Sequence, residues 1–226
     1  MTMDTAVPLA ASAVDAAILV LLVSRRMLRT LPAFFSYQAW CLCSGVAGLV
    51  VLSFIPRDYA RFYLLNISGD ALFQLAVLVE LGRVVLRHNR VAAPRRAVIV
   101  LLLMTATLMV WSLARWTLPE QLPQLIVLAI RMRQIFSVLQ FASLLALIWL
   151  STLRGLRWPG RALQVATGLG FYFLIDLAVM VLHTHQSFGH QYMSLDYIAS
   201  FSYLGVLAYW VICFAQSERG RREATE

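Results

Sequence analysis

Asp15, Asp70, Glu80 and Asp176 stand inside long apolar runs, as does Arg133. In hydrocarbon an ionised side chain costs about 2.5 to 3.5 kcal/mol to insert. Acids kept at that cost point to a polar interior, where a carboxylate can hold a proton, accept a hydrogen bond or pair with a cation. At about 100° per residue, Asn66, Asp70, Gln74 and Glu80 fall within a stripe of roughly 120° on one helix. Gln164, Gly168, Tyr172, Asp176 and His183 share a side of a second helix, and Asp196, Ser200, Tyr203 and Trp210 of a third. Arg133 shares a face with Ser137 and Gln140, which makes it the expected cationic partner of Asp70 or Asp176 and offsets the burial of both. The expected polar cavity is therefore drawn from Asn66, Asp70, Gln74, Arg133, Gln140, Tyr172, Asp176, Asp196 and Tyr203. For any one of these side chains ordinary interhelical hydrogen bonding is the favoured account. For Glu80 the simpler expectation is a local ion pair with Arg83 and Arg87 on its own helix.

His183, His185 and His190 gather at one end between two of these helices, with Tyr192 and Asp196 close in sequence. Neutral imidazoles bind zinc or copper and titrate near neutrality, so metal binding or pH sensing is an expectation, although no familiar ligand spacing is met. Cys41 and Cys43 form a C-x-C without a neighbouring histidine, a weak metal pattern. Together with Cys213 they fall in apolar runs, where thiols act as small apolar groups, and no disulfide is expected. Nucleotide-binding loops, H-E-x-x-H and G-x-S-x-G are missing, so no motif points to an enzyme. A retinal Schiff base needs a lysine and there is none. His88 lies at one end and the other three histidines at the opposite end, which leaves no transmembrane pair for haem, and C-x-x-C-H is missing too. No cofactor is expected.

The apolar runs must position all of these groups. Hydrophobic residues make up 61% of the chain and charged residues 13%, and mean hydropathy is +0.75, more apolar than a soluble domain. The runs are continuous and rich in Leu and Ala, with no strand-like alternation, so helices are expected. Helices satisfy their own backbone in hydrocarbon. Seven spans are expected at roughly 7–24, 33–55, 62–86, 97–117, 125–150, 162–183 and 193–215, forming one all-α transmembrane domain over residues 1–226. Pro8, Pro32, Pro56, Pro94, Pro119, Pro123 and Pro159 all fall at span ends or in loops.

Every basic residue other than histidine is an arginine, nineteen in all, and fourteen lie in four clusters on one side: Arg25–Arg29, Arg83–Arg96, Arg154–Arg161 and Arg219–Arg222. The positive-inside bias then puts the N-terminus outside and the C-terminus inside. A net charge of +8 would suggest nucleic acid in a soluble protein. Here the arginines flank spans and match anionic headgroups, so the expected partners are the bilayer and a protein at the arginine-rich inner loops, not nucleic acid. The basic residues follow the first apolar run rather than precede it, so that run reads as a retained span.

Two turns echo each other, RMLRTLP (Arg26 to Pro32) and RGLRWP (Arg154 to Pro159), which suggests a three-plus-one-plus-three plan with parallel repeats. The stretches RRMLRTLPAFFSYQ, LVELGRVVLRH and RMRQIFSVLQ together resemble bacterial seven-helix inner-membrane proteins to which no activity is assigned. The resemblance implies a bacterial inner-membrane location. Seven-helix sensor modules of bacterial signalling proteins are similar in architecture. The functional expectation is a non-enzymatic sensor or accessory subunit with a polar intramembrane cavity, signalling through a separate partner. The alternative is a small-solute or proton-coupled transporter.

Overall fold

A long apolar run leaves its backbone no partner but itself, and every such run described in the computed structural model is helical. The described residues are 3–25, 27, 30–89, 124–185 and 190–216. They form α1 (Met3–Ser24), α2 (Pro32–Phe54), α3 (Tyr59–His88), α4 (Gln124–Leu153), α5 (Gly160–His185) and α6 (His190–Gln216), with a 3-10 turn at Pro56–Asp58. α4, α5 and α6 correspond to the fifth, sixth and seventh expected spans, while the fourth, 97–117, lies outside the described residues. The helices overrun most of the expected spans by a few residues, because backbone hydrogen bonding continues past the apolar stretch.

Among the described residues five stretches are long and apolar enough to cross a membrane: Pro32–Phe54, Arg61–His88, Arg131–Leu153, Gly160–Leu182 and Ile198–Gln216. α1 adds a shorter apolar stretch, Leu9–Ser24. Large apolar side chains such as Leu72, Phe171 and Ile212 point outward, the surface expected of a membrane protein rather than a water-soluble one. α1 packs on α2 and α6, α2 on α3, α3 on α4, α4 on α5 and α5 on α6, so the six helices close into a ring, with α3 also touching α5.

The arginine-rich end of this ring is fastened by hydrogen bonds. Arg25 at the end of α1 donates to the Ala215 carbonyl of α6 at 3.2 Å. Asn89, just past α3, donates to the Arg157 carbonyl at 2.9 Å and accepts the Arg157 N–H at 3.0 Å, which joins α3 to the α4–α5 turn. That turn is a left-handed glycine cap: Gly155 has φ 58°, with Leu156 N–H on the Ser151 carbonyl at 2.8 Å. α3 and α4 therefore both deliver their C-termini to this end. The apolar core is thickest on the same side, where Phe34 meets Trp210 edge-on at 5.0 Å and Phe214 at 6.1 Å.

Glu80 corrects one expectation. Its two carboxylate oxygens accept the N–H groups of Ala33 and Phe34, each at 3.0 Å, and it forms no ion pair with Arg83 or Arg87. Pro32 opens α2, and the first-turn amides that follow it have no intrahelical acceptor, so an acid from the neighbouring helix caps them and meets the positive end of the helix dipole. Glu80→Ala is expected to lower stability by about 1 to 2 kcal/mol, and Glu80→Gln, which keeps one acceptor, by less. Thermal unfolding of the detergent-solubilised protein measures the difference.

Candidate functional site

The polar side chains of the apolar helices form a belt whose charged groups and their ring partners, Asp15, Trp40, Asp70, Arg133, Asp176 and Tyr203, lie about 14 to 21 Å from the arginine-poor end by the helical rise from the nearest helix terminus. Its firmest part joins α4 to α5. Arg133 donates to one oxygen of Asp176 at 2.9 Å, and Ser137, one turn along α4, donates to the other at 2.7 Å. Arginine and serine four residues apart lie on one face of α4, so both carboxylate oxygens are held by a single helix. Arg133 also reaches the Tyr63 hydroxyl of α3 at 3.4 Å. The Asp176 side chain is 9% exposed and that of Arg133 is 30% exposed.

Asp70 of α3 is held differently. The Trp40 indole N–H donates to it at 2.8 Å, and the indole stacks on Phe73 at 5.4 Å. The space for that indole comes from Gly69, where any Cβ would fall on the Trp40 ring. Asp15 of α1 accepts the Tyr203 hydroxyl of α6 at 3.1 and 3.4 Å, and Tyr203 meets Tyr172 of α5 edge-on at 5.7 Å. Gln74 of α3 donates to the Tyr37 hydroxyl of α2 at 3.0 Å. All six helices thus contribute to the belt, and among its described residues there are three carboxylates and one guanidinium, which pairs with Asp176.

Two further polar groups of the belt lack partners. Asn66, one turn from Asp70, has its carbonyl oxygen buried without a hydrogen bond. Gln38, fully buried on α2, has both amide atoms unpartnered. Gln140 is buried on the Arg133 face and takes no part in the Asp176 hydrogen bonds. The side chains of Asp196, His183, His185 and His190 lie outside the described residues, so the expected metal cluster falls there as well. Among the described residues no three His, Cys, Asp or Glu side chains converge. Cys41, Cys43 and Cys213 are free thiols.

Several members of the belt are not evident from polar stripes. Trp40 reads as an interfacial ring from its type, yet it lies within α2 and binds an acid. Tyr37 and Gln38 read as part of an ordinary apolar run. The available signal was the pairing of Trp40 with Gly69 and Asp70 on the next helix, a large ring, a missing side chain and an acceptor. No known protein family, curated protein or solved structure matches the chain, so the three resembling stretches stand as motifs alone.

Proposed function

We propose that the chain is a non-enzymatic integral membrane sensor or accessory subunit of a bacterial inner membrane, with seven spans, its N-terminus outside and its C-terminus inside. The fourth span, 97–117, is supported by the parallel course of α3 and α4, which requires a return crossing between them. The orientation is supported by the arginines gathered at one end.

The charge imbalance of the polar belt carries the reading. Among the described residues of the belt, Asp15, Asp70 and Asp176 are matched by one guanidinium, Arg133, which pairs with Asp176, so Asp15 and Asp70 favour a proton, a metal cation or a small amine over an anion. The rings of Trp40, Tyr172 and Tyr203 add faces suited to an organic cation. Occupancy at Asp15 and Asp70 draws on α1, α2, α3 and α6 together, which biases their packing, and a partner protein reads that change at the arginine-rich end.

Titrating the solubilised protein with a panel of amines and of monovalent and divalent cations tests this. A specific ligand at a hundredfold excess over its Kd is expected to raise the unfolding midpoint by about 8 °C. Asp70→Asn should lose that response while retaining the Arg133–Asp176 pair. A panel without effect on the parent protein, or an Asp70→Asn variant that responds like the parent, would sink the reading.

One observation favours a transporter as the second reading. The α1–α2 region is tied to the end of α6 through Arg25, and the α4–α5 turn is tied to the end of α3 through Arg157, the pattern that two repeated halves would make. Saturable flux into proteoliposomes, abolished by Asp176→Asn, would replace the sensor reading. Absence of flux across a broad solute panel, with and without a pH gradient, would exclude this alternative.

A further inference from the structure

Two cavities flank the arginine-rich half of α3. One, of about 510 Å³, lies between α3, the α1–α2 turn and the start of α5, and among the described residues its walls include Arg87, His88 and Arg161 and no acid. The other, of about 530 Å³, runs along the α2 side of α3 over Leu75, Ala76 and Val79 up to Arg83. Its single acid, Glu80, has both oxygens committed to the amides of α2. Thr30, Val84 and Arg87 line both cavities, so the basic pocket and the apolar groove share a wall. Val79 is 54% exposed on the outer surface of the bundle, where acyl chains would pack.

We propose that this end of α3 binds one anionic phospholipid, with its phosphate among Arg87, His88 and Arg161 and one acyl chain on Leu75, Ala76 and Val79. Charge selects the headgroup. Two arginines and a histidine without a neighbouring acid attract a phosphate and offer nothing to the cationic group of a zwitterionic lipid. Arginine forks also match phosphate oxygens in pairs. The groove selects a lipid over a free anion, because inorganic phosphate gains nothing from an apolar surface. Arg83 and Arg87 form no ion pair with a described residue, so none of the described acids competes for the headgroup. From position 75 to position 87 the helix rises about 18 Å, which takes the site from headgroup depth well into the acyl region.

The full chain, purified in a neutral detergent, is exposed to phosphatidylglycerol or to phosphatidylcholine. Bound lipid is counted by native mass spectrometry and stability is read from the unfolding midpoint. One phosphatidylglycerol is expected to remain bound where phosphatidylcholine does not. The double variant Arg87→Gln, Arg161→Gln is expected to weaken retention at least tenfold, taking about fivefold for each charge lost near a headgroup. Should that variant fail to fold, Arg161→Gln alone carries the same test. Val79→Trp, which fills the groove, should lower lipid retention, and Arg57→Gln at the opposite end should leave it unchanged. Equal retention of phosphatidylcholine, or retention insensitive to the arginine variants, would overturn the proposal. So would full stabilisation by inorganic phosphate with Val79→Trp inert, which would identify a soluble anion instead.

Discussion

Arg133→Ala is expected to destabilise the protein by about 3 kcal/mol, because it leaves the Asp176 carboxylate buried with Ser137 as its remaining donor. The low end of the usual range applies, since the arginine side chain is partly exposed. The cost comes from the stranded charge rather than from the intrinsic strength of the pair, and a second substitution separates the two. In an Arg133→Met, Asp176→Leu double variant no charge is left behind, so most of the lost stability should return. Thermal or denaturant unfolding of the parent and the two variants in one detergent reads this directly. A double variant no more stable than Arg133→Ala would mean that the pair itself, with its reach to Tyr63, holds α3, α4 and α5 in register.

Trp210→Ala is expected to cost about 2 to 4 kcal/mol. The side chain is only 1% exposed, packs edge-on against Phe34 and donates to the Gln164 carbonyl at 3.3 Å. Lipid is as apolar as the core, so the loss is mainly of dispersion contacts and one hydrogen bond, less than a comparable truncation in a water-soluble core would lose. The same indole fills the place of a side chain at Gly168, where a Cβ would fall on its ring. Gly168→Ala alone should therefore destabilise by about 1 to 3 kcal/mol through overpacking. With Trp210→Ala already present, the same alanine should be neutral or stabilising, since it is the better helix former. A double-mutant cycle measures that coupling, and additive costs would show that the two positions do not compete for space.

How far the sequence could be read depended on which force decided each feature. Helix existence follows from hydropathy alone, and Pro32 marks the start of α2 because its backbone restriction acts locally. Arg133, Ser137 and Asp176 were legible because helical periodicity sets one face of α4 and one of α5. Which acid the arginine meets was not legible, since Asp70 and Asp176 satisfy the same periodic rule and only three-dimensional packing separates them. Glu80 shows the limit more sharply. Its own helix offers two arginines, yet the stronger demand comes from the unpaired amides of α2, more than forty positions away. The Trp40–Asp70 bond escaped for a similar reason, because a tryptophan by its type suggests an interface and only Gly69 on the neighbouring helix makes room for the ring inside the bundle.

The closure of α1 against α6 sets an order on biogenesis. The contacts that join them, Tyr203 to Asp15 and Arg25 to Ala215, span 188 and 190 positions of the chain. During synthesis the first helix must therefore wait in the translocon or the bilayer with its aspartate unmatched until nearly the whole polypeptide has emerged. A ribosome stalled before α6 would leave an open arc with an acid facing lipid, the kind of intermediate that membrane quality control removes.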